Sequence, residues 1–449
     1  MSLTVKHVDL GMTTKFYNNG FSSYLKQVFP KAVEEMAGRV NKSGQFLSWA
    51  DLPKEQLKRV DYIYDLVRDI KSKPFSPKLL TVLGIGGSKH TVEHMLGVNG
   101  LNLNGGKVKF FSDIDSVSFN RFMNELDGNA ANSNYLVVSK SGSTFETKDG
   151  MLRIMNRLNE TYDGAKRQSE KSRKGYNSLV NDHMIAVTDK NPESQLRKFA
   201  TENKWLGDLY IHDDVGGRFS ALDDHSLFTL AWAGMQKEDM IKMLKGAQDM
   251  TDIALLPYPT ENTPLMQGAF WAQARLDGIK DSVHQYLGSM FDKTAIWHTQ
   301  MQNESIKDSS EQIAKITDAM HHSSEAWYNP KNKYAFQLTA PVDKGAAREN
   351  VEGYLGAIAK TNAAYGPSMV ETLETTKIGL KPETVGAMSQ ARSFTTVYQG
   401  ILERMVRGES QPEVLPEVLQ PNVEAYKKNL KPIDGNNPPV VAGRISLMV

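Results

Sequence analysis

Tyr135–Thr147 reads YLVVSKSGSTFET, an unbroken apolar run that passes directly into a turn carrying four hydroxyl residues, a glycine and a lysine. A continuous apolar run without alternation is the signature of a strand buried on both faces, and such strands belong to parallel sheets covered by helices. The turn that follows opens a helix. Hydroxyls and free backbone N–H groups at a helix start suit an oxyanion such as a phosphate, and the helix dipole adds to the attraction. Taken alone, the string also fits a polar strand-to-helix turn with an N-capping serine. Upstream, Thr81–His90 reads TVLGIGGSKH, a second apolar run ending in a small, N–H-rich turn. Two strand ends thus offer the same kind of ligand the same kind of cradle.

Working outward, the apolar runs Leu79–Leu83, Val108–Phe111, Tyr135–Val138, Met184–Val187 and Leu209–Ile211 alternate with helical stretches, which predicts a doubly wound first domain over 74–215. Ahead of it, residues 1–73 are expected to form an N-terminal helical arm. Leu57, Val60, Ile63, Val67 and Ile70 recur there at helical steps behind Leu52-Pro53, and the segment stops at Pro74. A second α/β domain is expected over 216–408, with strands at Ser282–Leu287 and along the period-two run Tyr334, Phe336, Leu338. The tail, 409–449, is rich in proline and asparagine and predicts an extended wrap with one short helix near Val423–Leu430. The charged run AKRQSEKSRKG at 165–175 reads as a solvated helix end or loop.

The chain has 449 residues, 40% of them hydrophobic, which suffices for two domains with sizeable cores. With 53 basic and 52 acidic residues there is no net bias toward nucleic acid or an anionic membrane, so any anion specificity is local. Zero cysteines exclude disulfides, thiolate metal ligands and a cysteine nucleophile. The N-terminus lacks the apolar stretch of a signal peptide and no window spans a membrane, so a cytoplasmic protein is expected.

Four further stretches could carry chemistry. Gly84–Ser88, GIGGS, lacks the third glycine of a dinucleotide fingerprint but permits close approach of some other ligand. In Val215–Asp224, VGGRFSALDD, Arg218 follows two glycines. A guanidinium there is either a surface residue or the group to set against a phosphate or an enediolate. In Trp297–Asp308, WHTQMQNESIKD, Gln300 and Glu304 stand four apart on one helix face. Met290, Phe291, Ile296 and Trp297 lead into that helix and could hold Glu304 near a dry pocket as a base. His321 and His322 form a pair without carboxylates at ligand spacing, poor evidence for a metal, and either proton transfer or a structural hydrogen bond fits them.

In order, GIGGS, SKSGSTFET, VGGRFS, the Q-x-x-x-E-S segment and QPNVEAYKKN (420–429) resemble the signatures of the glucose-6-phosphate isomerase family. The resemblance implies two doubly wound α/β/α sugar-isomerase domains and interconversion of glucose-6-phosphate and fructose-6-phosphate through an enediolate, without cofactor or metal. It further implies that Ser139, Lys140, Ser141 and Thr144 hold the phosphate and that Gly86, Gly87 and Ser88 line the sugar. Arg218, behind Gly217, would stabilise the enediolate, and Gln300 would contact substrate. Glu304 would be the base, His322 the ring-opening histidine supplied in trans within a homodimer, Lys427 the C-terminal catalytic lysine and Gln420 its partner. A mannose-6-phosphate-accepting isomerase and a catalytically silent sugar-phosphate-binding regulator are the alternatives. Two departures stand out: ESIKD lacks the glycine of the usual E-S-x-G-K, and PEVLQ replaces N-P-F-D-Q, keeping the glutamine.

Overall fold

The computed structural model describes residues 3–17, 21–40, 42–73, 77–101, 106–140, 142–166, 178–306, 310–315, 327–329, 331, 333–343 and 347–419. Among these the strands are, in chain order, β1 (Leu3–His7), β2 (Met12–Tyr17), β3 (Leu79–Leu83), β4 (Val108–Phe111), β5 (Ser133–Val138), β6 (Met184–Thr188), β7 (Leu206–Tyr210), β8 (Asp281–Tyr286), β9 (Ser310–Lys315), β10 (Tyr334–Val342) and β11 (Ser368–Glu374). They form two sheets in two compact units.

One unit comprises Arg68–Ile85 and Lys107–Ile211 among the described residues. Its five strands are all parallel in the order β4-β3-β5-β6-β7. Strand order reverses between β3 and β5, the place where open parallel sheets bind ligands outside their carboxyl ends. SNYLVV of β5 is buried at every position, as a strand covered on both faces must be. The core joins Leu83, Phe111, Tyr135, Val137, Ile154, Met155, Leu158 and Met184, all under 5% exposed.

The other unit comprises Met1–Val67, Gly86–Gly106 and His212–Leu419. Its sheet runs β1-β2-β11-β10-β8-β9, with β8 to β11 parallel and the β1–β2 hairpin added antiparallel on β11. The parallel part, β9-β8-β10-β11, repeats the second-first-third-fourth order of the other sheet. Both sheets are therefore α/β, as the apolar runs predict. The helix Pro382–Val406 is the spine of this unit. It packs on the helices Lys237–Ala254 and Thr263–Leu276 and buries nearly every residue from Thr384 to Glu403.

Two boundaries differ from the sequence expectation. The stretch 1–73 does not stand apart as an arm: β1 and β2 join the sheet, and the helices Ser23–Val40 and Leu52–Leu57 pack on Pro382–Val406 and Lys237–Ala254 respectively. Met12, Thr14 and Phe16 alternate inward in β2, which ties the segment to the sheet. The helix Gly87–Val98, expected inside 74–215, belongs with the second sheet's unit because Val92, Met95 and Leu96 are buried and the helix packs on Asp292–Ser305 and Asp224–Ala233. The helix near Val423–Leu430 and most of the 165–175 run lie outside the described residues.

Candidate active site

The helix Asp292–Ser305 places Gln300 and Glu304 on one face, and Gln300 Nε2 donates to Glu304 Oε1 at 3.0 Å. Arg218 reaches the other carboxylate oxygen, with Nη1 at 3.4 Å from Oε2. It projects from the single 3₁₀ turn Gly217–Phe219 and is fully buried. Its Nε donates to Ser305 Oγ at 2.8 Å, and its Nη2 to the carbonyls of Glu417 at 2.5 Å and Leu419 at 3.3 Å. Trp297 Nε1 donates to the Arg218 carbonyl at 2.8 Å, fixing the backbone as well. Burial lowers the guanidinium from its ordinary value to about 10, with Glu304 and Glu417 opposing the shift, so it remains a cation at neutral pH. The result is a preorganised cation beside a carboxylate that is one-quarter exposed.

This face opens on a cleft of about 540 Å³ lined by Gly86, His90, Ala295, Ile296, Thr299, Gln300 and Glu304. Such a volume suits a small ligand. The apolar approach expected ahead of Glu304 is split: Phe291 and Trp297 are buried, whereas Ile296 is 40% exposed and forms cleft wall. Gly86 has φ +53°, and a Cβ there would stand 3.0 Å from Gln300 Nε2. At Gly87 a Cβ would fall 2.1 Å from the Gly217 carbonyl carbon and 2.6 Å from Arg218 N. The GIGGS turn and the VGGRFS turn thus touch backbone to backbone, which only glycine permits.

In the unit built on β3–β7, the loop after β5 is shaped by its own hydroxyls. Ser139 Oγ accepts from Gly142 N at 3.1 Å and donates to Thr144 Oγ1 at 3.2 Å. The Lys140 carbonyl accepts from Thr188 Oγ1 at 2.8 Å and from Asp189 N at 3.1 Å. Gly142 takes φ +73°, turning the chain into the helix Phe145–Lys166. The loop therefore delivers hydroxyls and a helix N-terminus together, the chemistry of an anion cradle.

Of the residues singled out in the sequence, Gly86, Gly87, Ser88, Gly217, Arg218, Gln300 and Glu304 fall in one unit, and Ser139, Lys140 and Thr144 in the other. Ser141, His321, His322, Gln420 and Lys427 lie outside the described residues. Sequence reasoning missed His90, Ser305 and the Glu417 and Leu419 carbonyls. His90 stood three residues from Glu93 in a helical pattern, a legible pairing, and Ser305 was visible as the serine after Glu304. Among the described residues no group of three or more His, Asp or Glu side chains could hold a metal ion, and no helix is long and apolar enough to cross a membrane.

The family model of phosphoglucose isomerase matches residues 70–326. The glucose-6-phosphate isomerase of Mycoplasmopsis pulmonis is 26% identical over 408 residues, covering 86% of this chain and 89% of that protein. That of Thermus thermophilus is 29% identical over 263 residues, covering 57% and 55%. The matched stretch spans only 32% of the length of the Nostoc punctiforme glucose-6-phosphate isomerase, at 28% identity over 42% of this chain. Among solved structures, a glucose-6-phosphate isomerase from Chlamydia trachomatis superposes with TM-score 0.70 at 17% identity, covering 93% of this chain and 87% of that one. A hypothetical protein from Thermus thermophilus does so with TM-score 0.70 at 21% identity, covering 92% and 98%. At these identities the superpositions speak for the fold.

Proposed function

Because this chain belongs to the phosphoglucose isomerase family, we propose that it interconverts glucose-6-phosphate and fructose-6-phosphate through an enediolate. The observation that carries the proposal is the Glu304 carboxylate held between Gln300 and the buried Arg218 at an open, sugar-sized cleft. Aldose–ketose isomerisation needs a base to move a proton between adjacent carbons and a fixed positive charge for the enediolate oxygens. Glu304 is the base in this reading and Arg218 the electrostatic partner. Gln300 orients the carboxylate and contacts substrate, with Gly86, Gly87, Ser88 and Gly217 lining the sugar.

Ser139, Lys140, Ser141 and Thr144 take the phosphate. His322 opens the ring, and Lys427, partnered by Gln420, assists. The chemistry calls for no metal or nucleotide. The rest of the reading is a cytoplasmic homodimer with shared active sites, serving glycolysis and gluconeogenesis. A coupled assay converting fructose-6-phosphate to glucose-6-phosphate tests the reading, with mannose-6-phosphate run beside it to measure breadth. Absence of turnover with tight binding of either sugar phosphate would favour a silent regulator.

A further inference from the structure

The cleft beside Glu304 contains a second proton-carrying side chain that the reading so far leaves unused. His90 sits in the first turn of the helix Gly87–Val98, its backbone N–H on the Gly86 carbonyl at 2.8 Å, and it lines the cleft together with Gly86, Thr299, Gln300 and Glu304. One turn along, Glu93 brings Oε2 to 3.2 Å from His90 Nδ1. Glu93 is buried, and Lys293 Nζ stands 3.1 Å from its other oxygen. Burial alone would push this carboxyl up, but the His90 hydrogen bond, Lys293 and Lys89 outweigh it and hold Glu93 below the ordinary carboxylate value.

An ionised carboxylate only accepts, so Nδ1 carries the ring proton and the neutral ring keeps its lone pair on Nε2. The side chain is 26% exposed, and among the described residues Nε2 has no hydrogen bond. A carboxylate that fixes the tautomer, an imidazole with a basic edge left over and a carboxylate base in the same cleft make up a two-group proton-transfer site.

We propose that His90 is a catalytic residue of this cleft, the group that moves the hydroxyl proton between O1 and O2 while Glu304 moves the carbon-bound one. The proposal rests on the isomerase reading. In the ketose-to-aldose direction Glu304 takes a proton from C1, the C1–H electron pair forms C1=C2, and the C2 carbonyl pair moves onto O2 beside the Arg218 charge. The O1 proton passes to His90 Nε2, giving an imidazolium held by Glu93, and then from Nε2 to O2. The pair left on O1 becomes the C1=O bond as C2 takes back the proton on Glu304. One hydrogen has moved from C1 to C2 and one proton from O1 to O2, with no co-reactant consumed.

The test uses the full chain and fructose-6-phosphate. His90→Gln lowers kcat by about 10²-fold with KM within about twofold, since only a transition-state role is removed. Exchange of the C1 hydrogen with D₂O, which needs Glu304 but not the hydroxyl shuttle, persists, so the ratio of exchange to turnover rises. Glu93→Gln keeps the imidazole and removes the charge behind it. It leaves the ring without the ionised acceptor that fixes its tautomer, lowers kcat by about tenfold with KM little changed, and raises the ratio of exchange to turnover in the same sense as His90→Gln. Lys293, Lys89 and Glu304 stay in place in both variants. Exchange that falls in step with turnover in either variant, or a wild-type kcat in Glu93→Gln, overturns the proposal. A wild-type protein showing neither turnover nor exchange would overturn the isomerase reading instead.

Discussion

Gly87→Ala is the sharpest perturbation that the backbone contact between the two glycine turns allows. The new Cβ would stand 2.1 Å from the Gly217 carbonyl carbon, where ordinary contact begins at 3.4 Å, so the turns must part by about 1.3 Å. Neither neighbour is a flexible side-chain end. Gly87 starts a helix with Thr91, Val92, His94, Met95 and Leu96 buried, and Gly217 starts the 3₁₀ turn of Arg218, which is tied to Ser305, Glu304 and two carbonyls. Overpacking of this kind costs about 1–3 kcal/mol of stability. The larger effect falls on catalysis: moving Arg218 by roughly an ångström from the carboxylate it serves lowers kcat/KM by about 10²-fold. Gly217→Ala is the control for stability alone, since its Cβ would meet Gly87 Cα at 3.7 Å, an ordinary contact, while the residue itself belongs to the proposed sugar lining. Urea unfolding and steady-state kinetics on fructose-6-phosphate read both variants. A Gly87→Ala enzyme with wild-type kcat/KM and unchanged stability would refute the claim that this contact positions Arg218.

Glu304→Gln keeps the hydrogen-bonding shape and removes the proton acceptor, so kcat should fall about 10²–10⁴-fold and C1 hydrogen exchange should vanish while substrate still binds; near-normal turnover rules Glu304 out as the base. If Thr144 holds the phosphate as proposed, Thr144→Ala removes a contact made equally in ground and transition states, so KM should rise about tenfold with a smaller change in kcat, and an unchanged KM would show the cradle to be misplaced. Burial lowers His94 from 6.5 to about 3, with Arg392 adding to the shift, and His225 to about 4 against the pull of Asp223. Below pH 6.5 the unfolded chain binds these protons and the folded one does not, so stability should fall as pH drops from 6.5 toward 4 by up to about 1.4 kcal/mol per pH unit for each histidine. Urea unfolding at pH 7 and pH 5 checks the sign; equal stabilities would contradict it. If the chain forms the proposed dimer with shared sites, subunit exchange between inactive Glu304→Gln and His322→Ala should restore about a quarter of wild-type activity, since half of randomly formed dimers are mixed and each of those has one intact site; no recovery despite proven exchange would mean that the histidine acts in cis.

The strands that the sequence reveals and those it hides differ in what covers them. LLTVL and SNYLVV lie inside a parallel sheet, and burial on both faces writes an apolar run that needs no partner to be read. SEQIAK of β9 is the edge strand of the other sheet and carries a polar sequence, which reads as loop. MTTKFY of β2 shows the alternation of a half-covered strand, but over so few residues that the helical steps from Leu57 to Ile70 dominate the reading of 1–73.

The site divides along a similar line. A side chain's chemistry shows in the sequence as a residue type at a position, so the Glu304, Gln300 and Arg218 cluster is legible. The groups that hold Arg218 are mostly backbone: the carbonyls of Glu417 and Leu419 lie about two hundred residues downstream and could belong to any side chain. The glycines of GIGGS suggest close approach of a ligand, and Gly86 beside Gln300 fits that. Gly87 is required for another reason, since it lets the helix start at Gly87–Val98 rest against the turn that aims Arg218. Part of what reads as a ligand-binding motif is therefore a joint between two segments more than a hundred residues apart. A substitution at Gly87 should therefore act as a positioning defect at Arg218 in addition to any effect on the sugar lining.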